Sequence, residues 1–309
     1  MADKIATRQA YGEILQVLGK EYEDLIVMDA DLSGSTKTGE FRKVFPERFF
    51  NFGIAEQNLY AQAAGLALSG KIVCASTFAM FATGRAFEII RNAIGYTGAN
   101  VKICATHAGI TVGEDGASHQ TFEDIALMRT IPGMTVLNPS DAVSAKKLIR
   151  QAVEMEGPCY VRLGRAAVPV YYKEEDEIIM GKGNQLRDGK DITIIASGIM
   201  VSDAADAAEK LAADGIDARL IDIHTIKPID EEIIIKAASE TGAIVTAEEH
   251  SIIGGLGDAV AQVVVKNCPV KMAMVGQKDC FGESGKPDQL KAKYGMTADD
   301  IVAAVKSLL

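Results

Sequence analysis

The chain has 309 residues, of which 48% are hydrophobic and 24% are charged, and its formal net charge is −10. This length predicts two domains, because single hydrophobic cores stop growing at roughly 250–300 residues. The acidic balance argues against a nucleic-acid binder, which normally carries a basic patch. No apolar run approaches the ~18 residues of a membrane helix, and no apolar leader follows Met1.

The cysteines predict a reducing compartment. They are odd in number, widely spaced and form no C-x-x-C pair. Cys74, Cys104 and Cys159 lie in apolar, strand-like runs, so we expect buried free thiols there. Because free thiols persist where disulfides do not form, we expect a cytoplasmic protein with no membrane association.

Short apolar strands alternate with helices through the first half of the chain. The predicted strands are residues 25–28, 71–76, 101–105, 135–137 and 159–162. The predicted helices are residues 6–18, 57–68, 86–94 and 142–154. Ser140 or Asp141 can cap the last of these helices. This alternation is typical of a parallel sheet with helices on both faces.

The segment 171–191 differs from its surroundings, with an acidic run at 174–177 and a Gly/Asn/Asp cluster at 181–189. We interpret it as a connection between domains, with a short strand near Ile178 and Ile179. After it, strands at 191–196, 218–223 and 243–247 alternate with helices at 202–213, 231–241 and 256–266. The predicted fold is therefore α/β, with a first domain (1–172), a linker (173–190) and a second domain (191–309), each a mainly parallel sheet with helices on both faces.

Ligands of open parallel sheets bind beyond the carboxyl ends of the strands, so the loops there are candidate sites. In one of them, Glu56 stands at the start of a helix directly after apolar residues. The helix N-terminus favours its ionised form and burial favours its neutral form, so its proton affinity is adjustable. A first-turn acid that only complements the helix dipole is the structural alternative.

Two further loops have unusual compositions. Phe78 and Phe81 follow a strand and can form a flat wall for an aromatic ligand, or can both be core residues. The loop 106–120 holds two of the four histidines, two adjacent acids and three glycines. Such histidines suit proton transfer or hydrogen bonding to sugar hydroxyls. The alternatives are a purely structural turn and a metal site, whose ligands would be His107, Glu114, Asp115 and His119 in a spacing that matches no zinc pattern.

Taken in order, these segments resemble the pyrimidine-binding domain of transketolases. The matching strings are the Glu56 segment, S-T-F-x-x-F at 76–81, T-H-x-G-I-x-x-G-E-D-G-x-x-H-Q at 106–120, N-P-S-D at 138–141 and R-L-G-R at 162–165. The second domain resembles the C-terminal domain of the same family, including Lys227-Pro228 and Glu248-Glu249-His250. The resemblance covers essentially the whole chain, but only the back half of a full-length transketolase.

The resemblance implies that Glu56 is the central acid of a thiamine diphosphate site. In the family, this glutamate hydrogen-bonds a pyrimidine ring nitrogen and promotes the imino tautomer that removes the thiazolium C2 proton. The resemblance also assigns Ile54, Phe78 and Phe81 to the cofactor pocket. The family often has a tyrosine three residues after Phe81, where this sequence has Gly84.

The resemblance also implies a substrate site. It assigns His119 to the hydroxyls of the donor sugar and to the reaction intermediate, which makes it the second catalytic residue, and Asp115 to a substrate hydroxyl. The residues implied to bind the substrate phosphate are Arg8, Ser35, His107 and Arg165. Arginine suits that task because its planar fork pairs with phosphate oxygens in a bidentate manner.

The diphosphate-binding motif of the family is absent from the sequence. Thiamine diphosphate enzymes hold the diphosphate through a metal ion, with a G-D-G motif followed later by Asn, and the nearest string here is Gly257-Asp258-Ala259. The resemblance therefore implies no metal ligands in this chain and a separate N-terminal subunit that holds the diphosphate with Mg²⁺ or Ca²⁺. It implies two copies of each subunit and reversible transfer of a two-carbon ketol unit from a ketose phosphate to an aldose phosphate, as in the pentose phosphate pathway.

Three other functions remain open at this stage. The β subunits of 2-oxo-acid dehydrogenases and the deoxyxylulose phosphate synthases share this two-domain layout, and fold does not fix function. A non-catalytic assembly subunit is a second alternative. A nucleotide-binding module at Gly254-Gly255-Leu256-Gly257 is a third, although its G-x-G-x-x-G pattern fails at Val260.

Overall fold

The computed structural model describes residues 4–309. Its strands, in chain order, are β1 (Lys4–Ala6), β2 (Leu25–Asp29), β3 (Phe49–Asn51), β4 (Ile72–Ser76), β5 (Val101–Ala105), β6 (Thr135–Leu137), β7 (Cys159–Arg162), β8 (Ala167–Pro169), β9 (Asn184–Arg187), β10 (Ile192–Ala196), β11 (Ala218–Asp222), β12 (Thr225–Lys227), β13 (Ala243–Ser251) and β14 (Lys271–Gln277). Its helices are α1 (Thr7–Glu21), α2 (Ser33–Thr36), α3 (Thr38–Val44), α4 (Glu56–Leu68), α5 (Phe87–Ile89), α6 (Asp124–Arg129), α7 (Ala142–Glu154), α8 (Met200–Ala213), α9 (Glu231–Thr241), α10 (Leu256–Asn267), α11 (Pro287–Lys293) and α12 (Ala298–Lys306).

The first sheet has seven strands in the order β12-β6-β7-β5-β4-β2-β3. Its strands run parallel except β12, which pairs antiparallel with β6. Every residue of β2 and β5 is buried, as expected for parallel strands covered on both faces. Neighbouring residues of β2 point into different cores: Val27 packs with α1 and α7, and Met28 packs with α4.

The second sheet has five strands in the order β14-β13-β10-β11-β9, of which only β9 runs antiparallel to its neighbour. Helices α8 and α12 pack on one face, and α9 and α10 pack on the other. A small two-stranded sheet pairs β1 with β8. The predicted fold, an α/β protein with two mainly parallel sheets covered by helices on both faces, is confirmed.

The expected linker has more structure than its composition indicates. The strand predicted near Ile178 and Ile179 is wrong, because both residues lie in irregular chain. The strand of this segment is β9, whose half-buried residues pair with β11 and so belong to the second sheet. A polar edge strand gives no apolar run, which explains why the sequence pattern missed it.

The helix predicted at 86–94 is also irregular. Only Phe87–Ile89 is α-helical, and π-helical turns flank it at Phe81–Arg85 and Ile90–Gly95. Such turns are rare and occur frequently at functional sites. Here the first of them carries Phe81 at one end and Arg85 at the other.

Two expectations from composition concern the whole chain. The five cysteines, all within the described residues, are free, and Cys74, Cys104 and Cys159 are buried on β4, β5 and β7 as predicted. Among residues 4–309, no helix has both the length and the apolar character needed to cross a bilayer.

Candidate functional site

Glu56 forms the centre of the site at the N-terminus of α4. It is only 2% exposed. Its Oε2 accepts a hydrogen bond from Arg85 Nη1 at 3.0 Å, and the Arg85 side chain is 51% exposed. Ile54, two residues earlier, exposes 79% of its surface and so presents an apolar side chain to solvent.

An aromatic wall stands beside this carboxylate. The rings of Phe78 and Phe81 are nearly parallel, with centroids 6.0 Å apart and planes 15° apart. His107 stacks on Phe78 at 3.8 Å, and His119 meets Phe81 edge-on at 5.3 Å. The guanidinium carbon of Arg85 lies 4.9 Å from the Phe81 centroid. The three loops singled out in the sequence therefore meet in one continuous site.

His107 is held as a neutral imidazole. Burial lowers its pKa to about 3, because a charged ring would lose its water and would face the guanidinium groups of Arg8 and Arg165. Arg8 Nη1 lies 3.3 Å from His107 Nε2, and Thr106 Oγ1 lies 2.9 Å from His107 Nδ1. Because an arginine can only donate, Nε2 accepts and Nδ1 carries the proton. The backbone of His107 has a φ of +58°, an unusual value for a residue other than glycine. Such unusual backbone angles cluster at functional sites.

The residues assigned to the substrate phosphate lie close together, but one of them, Ser35, differs from the others in how it makes contact. Arg8 Nη1 donates to the backbone carbonyl of Ser35 at 2.9 Å, so the contact of Ser35 in this group is through its main chain. Arg165 donates to the carbonyl of Val112, and its Nη1 lies 2.9 Å from Glu114 Oε2. Glu114 is exposed, so an incoming anion can displace its carboxylate from Arg165.

Asp115 and His119 lie on the same loop in different surroundings. Asp115 is exposed at the end of a 3-10 segment and makes no ion pair with any other residue of 4–309. His119 is half-buried, and its Nδ1 lies 3.0 Å from Ser118 Oγ. The loop therefore presents one free carboxylate to solvent and one imidazole to the aromatic wall.

Three residues of this region were not predicted from the sequence. Arg85 lies four positions after Phe81 in a helical segment, a spacing that puts both side chains on one face, and this signal was available. Lys37 adopts a φ of +72°, and its charge is one of those that oppose a proton on His107. Glu249 accepts a hydrogen bond from the backbone N–H of Thr111 at 2.7 Å, across 138 positions of sequence, and no local pattern could reveal that contact.

Two of the alternatives have no support in the geometry. Within residues 4–309, no group of three or more His, Cys, Asp or Glu side chains is arranged to hold a metal ion, so the loop 106–120 forms no ligand cluster. At the proposed nucleotide loop, Glu248 already accepts hydrogen bonds from the N–H groups of Leu256 and Gly257, at 2.6 and 2.8 Å. A pyrophosphate would need those same donors.

Comparison with known proteins identifies the family. The model of the transketolase pyrimidine-binding domain matches residues 3–170, and that of the transketolase C-terminal domain matches residues 181–301. These matches, together with the two-sheet fold and the site formed by its loops, define an α/β enzyme of the thiamine diphosphate-dependent class. The chain belongs to the transketolase family, whose members are thiamine diphosphate-dependent transferases.

Within the family, the chain is similar to a C-terminal section, to a transketolase subunit and to a split-gene transketolase. It is 54% identical over 301 residues to a provisionally assigned transketolase C-terminal section of Methanocaldococcus jannaschii, covering 96% of this chain and 94% of that protein. It is 42% identical over 297 residues to a 6-deoxy-6-sulfo-D-fructose transketolase subunit of Clostridium sp., covering 96% and 92%. The solved structure of a split-gene transketolase, an inactive β4 tetramer, superposes with a TM-score of 0.93 and 55% identity over 99% of this chain and 98% of that one. The predicted resemblance to the C-terminal part of a split transketolase is confirmed.

Proposed function

We propose that this chain is the C-terminal subunit of a two-subunit transketolase. In this proposal it moves a two-carbon ketol unit from a ketose phosphate to an aldose phosphate, and it acts only with a separate N-terminal subunit. The observation that carries the proposal is the junction of a buried Glu56 carboxylate with the parallel rings of Phe78 and Phe81. A flat heterocycle with ring nitrogens fits such a wall and such a carboxyl group.

The residues present fit the aminopyrimidine half of thiamine diphosphate. When bound, this cofactor supplies a carbon nucleophile and an electron sink for the two-carbon unit. The contribution of this chain is to bind and orient the pyrimidine ring between Phe81 and the Ile54–Glu56 turn. Glu56 then hydrogen-bonds a ring nitrogen, a task for which its buried position beside the aromatic wall suits it.

The other half of the cofactor needs a second chain in this proposal. The sequence has no G-D-G motif, and no metal-binding cluster occurs among the residues that the structure describes. We therefore assign the diphosphate and its Mg²⁺ or Ca²⁺ to an N-terminal subunit, with two copies of each chain in the complex. The solved relative that consists of β chains alone is an inactive tetramer, which supports this division of labour.

The cations around His107 fit an anionic substrate tail. Arg8 and Arg165 supply guanidinium forks, and Lys37 adds a third charge, while neutral His107 accepts from Arg8 and so helps to orient that guanidinium. A sugar phosphate and a sulfonated sugar present similar sets of anionic oxygens, and one relative is named for a sulfonated sugar. We assign Asp115 and His119 to the sugar hydroxyls, since the loop presents both beside this anion site.

The decisive experiment is a ketol-transfer assay of the chain alone and then mixed with the candidate N-terminal subunit, thiamine diphosphate and Mg²⁺. Turnover of a ketose phosphate with an aldose phosphate is expected only in the mixture. Turnover by the isolated chain would overturn the need for a partner. Activity with pyruvate, but with neither a ketose phosphate nor its sulfonated analogue, would instead favour the 2-oxo-acid or deoxyxylulose phosphate alternatives.

We further propose a cytoplasmic location for the complex, in keeping with its free thiols.

A further inference from the structure

The loop 109–120 carries Asp115 and His119 but has little regular structure of its own. It contains a short 3-10 segment with a kink, and its glycines at 109, 113 and 116 have φ of +79°, +79° and +77°. Such a loop has many conformations available in the absence of outside contacts. Its observed shape must therefore depend on the parts of the molecule that pack against it.

One support is Glu249, on β13 of the second sheet. Its side chain is only 2% exposed, and its Oε1 accepts a hydrogen bond from Thr111 N at 2.7 Å. A Cβ atom at Gly109 would lie 2.3 Å from the Glu249 carboxyl carbon. Only a glycine permits this approach, so the loop and the carboxylate are fitted to each other.

Glu249 is itself fixed from behind. Arg162 Nη2 donates to the Glu249 carbonyl at 2.8 Å, and Arg162 Nη1 lies 3.9 Å from Glu249 Oε2. Arg162 is held in turn by Asp124, whose Oδ2 lies 2.7 Å from its Nε. Burial raises the pKa of Glu249, while this guanidinium and the Thr111 N–H favour its charged form. The carboxylate is thus a fixed acceptor rather than a mobile surface group.

The second support lies in the connection between β14 and α11, which contacts the loop at Gln120. Gln120 Nε2 donates to the carbonyl of Glu283 at 3.0 Å. A Cβ atom at Gly282 would lie 2.0 Å from Gln120 Oε1, so this connection also approaches the loop closely. The loop is therefore held by two segments that both belong to the second half of the chain.

We propose that the second half of the chain has a positioning function in the site, in which Glu249 and the Glu283 carbonyl fix the loop that presents Asp115 and His119 to the substrate. Glu249 is a positioning residue, since it touches the loop backbone and none of the reacting groups. The part of this inference that concerns substrate rests on the proposed ketol transfer. The part that concerns the loop does not.

The loop can be tested in the isolated chain by hydrogen exchange of peptides covering 109–120. Glu249→Ala removes the acceptor of the Thr111 N–H, so protection of these peptides should fall by about tenfold or more. Glu248→Ala is the matched control, because Glu248 is equally buried but binds the start of α10 instead. Glu249→Gln keeps a carbonyl oxygen for Thr111 and should restore most of the protection.

Equal protection of the loop in Glu249→Ala and Glu248→Ala would overturn the inference. If Glu249→Ala does not fold, Gly282→Ala disturbs the second support by displacing the Gln120 side chain, and it should loosen the same peptides. Unchanged exchange in that variant would also count against the proposal. In the reconstituted enzyme, Glu249→Ala should raise KM for the ketose phosphate by about tenfold and also lower kcat, because the same loop carries His119, and Glu249→Gln should restore most of both. If the unmodified mixture shows no ketol transfer while the exchange results hold, the proposed function fails and the loop support stands.

Discussion

The Glu56 carboxylate is the residue on which the proposed chemistry depends. Replacing it in Glu56→Gln keeps its shape but removes the charge that Arg85 pairs at 3.0 Å. Because a positioned acid or base contributes typically 10²–10⁴-fold, we expect ketol transfer by the reconstituted complex to fall by about that factor. The measurement is kcat with saturating thiamine diphosphate.

Stability provides the control for this substitution. Arg85 is half exposed, so loss of its pairing with Glu56 should lower stability by no more than about 1 kcal/mol. A variant that folds normally and loses activity supports a catalytic carboxylate. A variant that folds normally and keeps full activity would favour the non-catalytic assembly subunit.

Asp222 predicts a pH dependence of folding. It is fully buried at the end of β11, where its Oδ2 accepts hydrogen bonds from Ser140 Oγ at 2.8 Å and from Tyr172 OH at 3.0 Å. Burial raises the pKa of Asp222 from 3.8 to about 7, against those two hydrogen bonds. Between these two values the folded state binds a proton that the unfolded state does not. Stability from this group is therefore lost as the pH rises from about 4 to 7, by up to roughly 4 kcal/mol.

The variant Asp222→Asn cannot titrate and lacks this slope. In thermal unfolding, the stability of the variant relative to that of the natural chain should increase as the pH rises from 5 to 8. Both proteins share every other titrating group, so their difference isolates Asp222. Parallel curves across that range would show that the carboxyl group is already ionised in the folded state at pH 5.

At the scale of elements, helix α7 shows how a cap can join distant parts of the chain. Of the two predicted caps, the structure selects Asp141, whose Oδ1 accepts from Ser144 N at 2.8 Å. Its Oδ2 accepts from the backbone N–H groups of Tyr171 and Tyr172, at 2.7 and 2.8 Å. One carboxylate therefore starts the helix and also anchors the chain that leads toward the second sheet.

This double role predicts a large effect for Asp141→Ala. Loss of an N-cap costs about 1 kcal/mol, and two stranded amide donors add about 1–3 kcal/mol. Urea unfolding should thus show a loss of about 2–4 kcal/mol. The cap of α12 supplies the control: Thr297 bonds only within its own helix start, so Thr297→Ala should cost about 1 kcal/mol. Equal losses in the two variants would contradict the double role.

At the scale of the whole molecule, several large apolar side chains are exposed, and four of them lie in or near α4 and the π-helical turns. Phe50, Ile54, Leu68 and Tyr96 expose between 43% and 91% of their surfaces. Exposed apolar surface favours association with another chain. We therefore expect the isolated chain to self-associate at micromolar concentration, and to form a larger complex with two copies of each chain when the N-terminal subunit is added. Light scattering measures the mass of the isolated chain and of the mixture. A chain that stays monomeric, alone and as the N-terminal subunit is added, would contradict the expectation.

The sequence predicted the central parallel strands well, because fully buried strands such as β2, β5 and β10 are continuous apolar runs. It missed the outermost strands of both sheets, β3, β9, β12 and β14, and the small pair β1 and β8, which are short or only partly buried. Site residues that share one loop, such as Phe78 and Phe81, were predictable from composition and family resemblance. The Glu249 support was not, because its partner lies 138 positions away and only folding brings the two together.

Strand β12 has a consequence for how the chain can be cut. Although it follows the segment 173–190, it pairs with β6 at the edge of the first sheet, and Lys227 Nζ donates to the carbonyls of Arg129 and Ile131 at 2.9 and 2.6 Å. A protease that nicks the exposed acidic turn at 174–177 would therefore leave two fragments that remain associated. On a native sizing column the nicked protein should elute with the intact chain, and only a denaturing gel should reveal the break.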